Sequence, residues 1–199
     1  MSRFTSSLPP SYFDGQYAGS ADPWQLATSD YEREKYAATL AALPAPRFAS
    51  AVEVGCSIGV LTRALAERCD AVLGLDVVDK ALEQARDRNK DLAHVRFARA
   101  QVPGEWPEGT FDLIVLSEVV YFLDPIDVER LVERVKGSLR PGGTIVLVHW
   151  TGVTHYPLSG DEAAELFMAT GHPFLRAIHH GATEAYRLDV LVNEPGDRA

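Results

Sequence analysis

The chain has 199 residues, 46% of them hydrophobic and 24% charged, and a net charge of −9. That length suits one domain with a full core, and the acidic balance argues against a polyanion such as nucleic acid as the main partner. No apolar run approaches the ~20 residues that span a bilayer, the first residues lack an apolar signal core, and Cys56 and Cys69 are too few for a disulfide framework, so a reducing, cytoplasmic setting is expected.

Residues 1–28 mix Ser, Pro, Gly and aromatics without a regular pattern and are expected to form an arm without secondary structure. Ser29 and Glu32 make an S-x-x-E capping box, so a helix starts there. Tyr36, Leu40 and Leu43 share one of its faces, and Pro44 stops it. From Ala51 strands and helices alternate. Strands are expected at 51–54, 71–75, 93–98, 111–117 and 143–149, and helices near 59–68, 79–89 and 125–138. FDLIVLS and GTIVLVH are almost continuously apolar, as strands covered on both faces are. Asp124 is the N-cap of the third of these helices, and Pro125 takes its first position. Ser159 and Glu162 make a second capping box ahead of a short helix, DEAAELFMAT. The apolar stretches 174–179 and 186–192 have only a turn between them, which makes them a hairpin with the last strand antiparallel. The expected fold is α/β, a doubly wound and mostly parallel sheet of seven strands with an N-terminal arm and helix. A single domain spans 1–199: arm and helix at 1–43, a ligand-binding core at 50–150, then a loop, short helix and terminal hairpin at 151–199.

The first core strand runs into a glycine-flanked turn, VEVGCSIG (52–59). A dinucleotide fingerprint would need glycine where Ser57 and Val60 stand, and a P-loop would need a lysine that 55–63 lack. A nicotinamide oxidoreductase is disfavoured on the same ground. What stands here is E-x-G-x-x-x-G. Gly55 lets backbone approach a ligand, and Gly59 lets the helix start tight against the strand. The helix N-terminus suits a carboxylate as well as a phosphate. The next strand ends in Asp76, where a carboxylate accepts hydrogen bonds from two ribose hydroxyls. The alternative is that Asp76 only caps the following helix.

VEVGCSIG, GLDVVDKAL, FDLIVLSEVVYFL and LRPGGTIVLVHW stand in the order and spacing of the class I S-adenosylmethionine-dependent methyltransferases, over about residues 50–150. DPWQLATSDYEREKYAATL resembles the arm of the NodS-like subgroup, relatives of a rhizobial enzyme that N-methylates a chitooligosaccharide amine. The subgroup's pattern is D-P-W followed by an aromatic-E-R-E helix, matched by Asp22, Pro23, Trp24, Tyr31, Glu32, Arg33 and Glu34. The resemblance implies the Rossmann-like methyltransferase fold and S-adenosylmethionine as cofactor, released as S-adenosylhomocysteine. It implies that Gly55, Cys56, Ser57 and Gly59 form the turn under the methionine part, with Glu53 beneath holding the amino group through backbone or water. Asp76 would bind the ribose and Val77 pack on the adenine. The backbone of Ser117 would accept from the cofactor's ammonium, and Arg33 would meet its carboxylate. Two positions depart from the family: Ser57 replaces a glycine, and Gln101, beside Val102, stands where an acidic residue often binds the adenine amino group. The Gln101 amide oxygen accepts the same bond.

Trp24 and Tyr31 either hold the arm down as core aromatics or close over the cofactor. Arg33 and Lys35, two apart on a helix, cannot both face the site. Arg33 is preferred because a guanidinium pairs bidentately with a carboxylate, its alternative being a surface pair. Glu118 and Tyr121 follow the fourth strand at the edge where open α/β sheets bind ligands. His149 ends the fifth strand, and His155 and Tyr156 lie in the loop beyond, so all five are candidate substrate contacts. Tyr121 is otherwise a core aromatic and His149 a structural histidine. His179 and His180 are expected at a solvated hairpin turn, and with Cys56 and Cys69 they lack metal-ligand spacing, so no metal is expected. The expected activity is methyl transfer to a small polar metabolite, most of all an amine on a sugar-like acceptor. A hydroxyl acceptor is the alternative and requires a general base, for which His149 is the candidate, with Tyr121 as the second catalytic candidate. From another class, a non-catalytic nucleoside-binding module would keep the cofactor side and lose the acceptor side, which the polar residues at that edge argue against. The partner is then a small-molecule acceptor, with neither nucleic acid nor membrane, and the chain a monomer or homodimer.

Overall fold

The strand β1 (Ala51–Val54) lies at the centre of the sheet, and all four of its residues are buried. It pairs in parallel with β2 (Val72–Asp76) on one side and β4 (Phe111–Ser117) on the other, Val52 facing Leu73 and Ile114. The computed structural model, which describes residues 3–194, extends this unit to seven strands in the order β3-β2-β1-β4-β5-β7-β6. Here β3 is Val95–Arg99, β5 is Leu139–Trp150, β6 is Leu175–Ala182 and β7 is Tyr186–Asn193. β7 inserts antiparallel between β5 and β6, as a hairpin after a parallel sheet requires.

The unbroken apolar runs are explained by cover on both faces. Leu113, Val115, Val146 and Val148 point into a core shared with Leu61 and Leu65 of α3 (Val60–Ala66). Ile114, Leu116, Ile145 and Leu147 point the other way, onto Leu131 and Val135 of α5 (Pro125–Ser138) and Phe167 of α6 (Gly160–Gly171). α5 has the expected bounds. Asp124 accepts from the Asp127 backbone N–H at 3.0 Å, Pro125 opens the helix, and Val128, Leu131, Val132 and Val135 are fully buried along one stripe. Each such side chain contributes roughly 1.5–3 kcal/mol. The Ser159–Glu162 capping box of α6 is complete in both directions. At α2 (Asp30–Ala41) only half of the expected box forms: Ser29 accepts from the Glu32 N–H, but the Glu32 carboxylate turns to Lys35.

Two expectations are corrected. The arm is not irregular: Pro10–Gly19 form a helix, α1. Few of its residues favour helix, so tertiary contacts hold it. Tyr17 is buried, and Phe13 packs edge-on against Phe122 with centroids 4.9 Å apart. His179 and His180 lie within β6, not in the turn, and His180 Nδ1 bonds the buried Asp189 carboxylate at 2.6 Å. α4 (Asp79–Arg88) completes the α3 side of the sheet. Among the described residues no helix is long and apolar enough to cross a membrane.

Candidate active site

β1, β2 and β4 end at one edge of the sheet, and a cavity of about 1400 Å³ opens there beneath α1 and α2. Pockets for one small ligand run to ~300–1,000 Å³, so this one has room for two.

The floor is the turn after β1. Gly55, Ser57 and Gly59 all have positive φ, at 75°, 49° and 74°. A Cβ on Gly55 would stand 2.3 Å from the Val119 side chain, and one on Gly59 would stand 2.9 Å from Ala85 Cβ. Gly59 therefore serves the packing of α3 on α4, whereas close strand–helix approach was the expected reason. The Gly55 and Cys56 N–H groups both donate to the Leu75 carbonyl, tying the turn to β2. Cys56 is buried beside Gly74, and burial pushes its thiol well above the ordinary range, which makes it a packing residue.

Asp76 ends β2 at the cavity wall. Its Oδ2 accepts from the Ser57 N–H at 2.8 Å and its Oδ1 from the Val78 N–H at 2.9 Å. It thus fixes the turn and the approach to α4 together, and each oxygen keeps a further acceptor site. Burial outweighs these bonds and holds its pKa above the usual value. Glu53 is buried, accepts from the Thr62 hydroxyl, and is pushed up to about 8 by burial. At neutral pH it is a protonated carboxyl that donates as well as accepts. Val77, Gln101 and Val102 line the same end, and Ser117 lies behind the turn.

The other end is built on Glu118, whose backbone also has positive φ, 57°. Its carboxylate accepts from Lys35 Nζ at 2.6 Å, the Tyr121 hydroxyl at 2.6 Å and the Trp150 N–H at 2.9 Å. Burial alone would raise its pKa, but the Lys35 ammonium together with the charge and hydrogen bonds around it outweighs that and holds it below its ordinary value. Lys35 is 1% exposed and binds Glu32 at 2.9 Å as well. Burial would lower its pKa, yet the two carboxylates raise it, so it stays an ammonium. Tyr121 stacks on Tyr156, centroids 5.1 Å apart, and burial with the Glu118 charge raises its phenol well above the ordinary value. Trp24 and Tyr31 line the cavity under the arm, and the Tyr17 hydroxyl bonds Ser57 across its floor.

Four expected site residues stand outside the lining. Gly59 packs on α4, as above. Arg33 is solvated and pairs with Asp30 at 2.6 Å. The inward face of α2 is set by Glu32, Lys35 and Thr39, and Arg33 falls on the opposite side. His149 is fully buried, and its Nε2 accepts from the Val120 N–H at 3.2 Å. Strand alternation puts it on the face of Ile145 and Leu147, with α6 at its back: a Cβ on Gly160 would come 3.1 Å from His149 Cβ. Burial pushes its pKa down to about 4, so it is a neutral structural imidazole. His155 is exposed, and its carbonyl accepts from the Phe4 N–H at 2.8 Å. Sequence reasoning missed Tyr17, Glu32 and Lys35. The signal available was polar residues at i, i+3 and i+7, the spacing of one helix face, with Tyr36 beside them.

A family model described as Nodulation protein S (NodS) matches residues 16–149. Nodulation protein S of Rhizobium tropici is 37% identical over 127 residues, covering 63% of this chain and 53% of that protein. The protein of the same name from Sinorhizobium fredii (strain NBRC 101917 / NGR234) is 34% identical over 127 residues, 63% of this chain and 59% of its own length. The chain thus spans a little over half the length of these curated relatives. The crystal structure of N-methyltransferase NodS from Bradyrhizobium japonicum WM9 in complex with S-adenosyl-l-homocysteine superposes with a TM-score of 0.80 at 25% identity, covering 92% of this chain and 97% of that one. With the sheet order and the cavity at the strand ends, these matches identify the lineage: the chain belongs to the NodS family of class I S-adenosylmethionine-dependent methyltransferases.

Proposed function

We propose that the chain transfers a methyl group from S-adenosylmethionine to the nitrogen of a small polar amine. The residues present fit that cofactor. Asp76 offers a carboxylate with free acceptor sites at the end of β2, which suits a ribose. Glu53, protonated and buried under the turn, matches the amino-acid end through backbone or water. Val77, Gln101 and Val102 supply an apolar and amide surface for the adenine. The turn of Gly55, Cys56 and Ser57 shapes the floor between them.

The observation that carries the acceptor class is the set of ionisable groups at the other end. Among the described residues no histidine lines the cavity. What faces it is Glu118 locked on Lys35, and phenols raised well above neutral pH. Methyl transfer to a hydroxyl needs a base with a pKa near the working pH, and His149, the candidate for it, points into the core. Bound S-adenosylmethionine supplies a sulfonium-activated methyl, its C–S bond breaking in line as the bond to the acceptor forms. A neutral amine attacks with its own lone pair and needs placement at ~3–3.5 Å rather than a strong base. The Glu118, Tyr121 and Tyr156 wall provides hydrogen-bond acceptors and aromatic surface for that placement.

The test mixes the protein with methyl-labelled S-adenosylmethionine and small amines, each paired with its hydroxyl analogue. Label should pass to amines and not to their analogues. Transfer confined to the hydroxyl members would overturn the acceptor class.

A further inference from the structure

We propose that Glu105 selects the base of the cofactor by accepting an N–H of the adenine amino group, and that Gln101 does not make this choice. This deepens the cofactor side of the reading above and rests on it. Adenine differs from its oxo counterpart, hypoxanthine, along one edge. Adenine offers an amino donor beside a bare ring nitrogen, whereas hypoxanthine offers a carbonyl beside a ring N–H. A wall that tells them apart must hold a group that only accepts or only donates. Gln101, two residues past β3, is not such a group. It is exposed and held through its backbone alone, and its amide carries an acceptor and a donor, so turning it over suits either base.

An ionised carboxylate accepts and cannot donate. Glu105 Oε2 takes the Gln101 N–H at 2.7 Å, while the Glu105 N–H donates to the Gln101 carbonyl at 2.8 Å. The two bonds close residues 101–105 into a turn and fold the carboxylate back toward the end of β3. Glu105 lines the cavity there with Val77, Gln101 and Val102. A carboxylate thus reaches the start of the loop from four residues along, where Gln101 itself brings none.

The turn is held from behind by α5. Arg134 Nε and Nη2 donate to the Pro103 and Gly104 carbonyls at 3.1 and 3.3 Å, and Trp106 Nε1 donates to Ser138 Oγ at 3.0 Å. Arg134 therefore serves the loop backbone rather than the Glu105 charge. Glu105 Oε2 is fixed by the Gln101 N–H, and among the described residues Oε1 has no partner, so its acceptor sites stay open. An acceptor already held in place loses little freedom when a ligand N–H meets it, which favours its use in recognition.

The test is calorimetric titration with S-adenosylhomocysteine and with S-inosylhomocysteine, in which an oxo group replaces the amino group. The parent should bind S-adenosylhomocysteine at least ~10-fold more tightly, the scale of one N–H bond to a carboxylate. Glu105→Gln keeps an amide oxygen for the Gln101 N–H and brings amide donors to the open side. S-adenosylhomocysteine should then weaken, S-inosylhomocysteine tighten, and the preference fall to ~3-fold or less. Gln101→Leu should leave the preference within ~2-fold of the parent's. Three results overturn the assignment and leave the methyltransferase reading standing. A parent without preference shows that no group reads this edge. A preference unchanged in Glu105→Gln, including equal loss of both ligands, gives the choice to the loop backbone or makes Glu105 a structural residue. A preference lost in Gln101→Leu returns the choice to Gln101. A parent protein that binds no S-adenosylhomocysteine removes the reading on which the assignment rests.

Discussion

Replacing Lys35 with methionine keeps the length of the side chain and removes its charge. In the folded chain that ammonium is 1% exposed and serves two carboxylates, Glu32 at 2.9 Å and Glu118 at 2.6 Å. Breaking a buried pair from one side costs ~3–5 kcal/mol, because the abandoned charge stays desolvated. Here two carboxylates are abandoned, so the upper part of that range applies. A domain of this size loses about 2–4 °C in Tm per kcal/mol, so about 4–5 kcal/mol puts the expected drop at roughly 8–20 °C. Arg33→Met is the control. Its pair with Asp30 is 70% and 79% exposed, and such pairs contribute about 0–1 kcal/mol. Thermal unfolding followed by circular dichroism compares the two, and Lys35→Met/Glu118→Gln should recover part of the loss by removing one stranded charge. A Lys35→Met protein that melts within ~3 °C of the parent would refute the buried network, as would an Arg33→Met protein that melts far below it.

Asp76→Ala should weaken S-adenosylhomocysteine at least ~10-fold, since two hydrogen bonds to a carboxylate are lost; unchanged affinity in calorimetry removes the ribose role. Glu53 gives a pH signature. Its pKa is about 8 in the folded chain against 4.5 in the unfolded one, so between those values the folded chain holds a proton that the unfolded chain releases. Its contribution to stability therefore falls as pH rises from about 4.5 to 8, and Glu53→Gln should flatten the pH dependence there in denaturant titrations; parallel curves for parent and variant contradict this. α1 lies over the cavity with Tyr17 on Ser57, so hydrogen exchange in residues 10–19 should slow when S-adenosylhomocysteine is added. Equal protection with and without it would show that α1 is a fixed wall.

Much of this was legible from local signals. β1 and β4 have the expected bounds because apolar runs between turn residues mark covered strands, and α5 because Asp124–Pro125 is a start signal in itself; Ser159–Glu162 likewise starts α6, which runs one residue beyond the expected stretch at each end. The hairpin was legible from the shortness of its turn. α1 was not, since its helicity comes from Phe13 packing on Phe122, 109 positions away (122 − 13), and from Tyr17 bonding Ser57, 40 positions away. Arg33 was preferred for the chemistry of its fork, but helix phase decides which side chain faces inward, and phase selects Glu32 and Lys35. His149 fails for the matching reason in a strand: its position at the β5 end is right, and its parity sends it to the α6 face. The cavity residues around the β1 turn and the β2 end were more legible than those around Glu118, because the former follow from a backbone turn and a strand end, the latter from side chains meeting across α2, β4 and the loop after β5.

The most direct test of the central claim is a calorimetric titration of the protein with S-adenosylhomocysteine, run beside an identical titration with NADH. The cavity geometry predicts saturable one-to-one binding of S-adenosylhomocysteine, lost or weakened in Asp76→Ala, and no binding of NADH. Absence of heat with S-adenosylhomocysteine, or tight binding of NADH in its place, would contradict the methyltransferase reading.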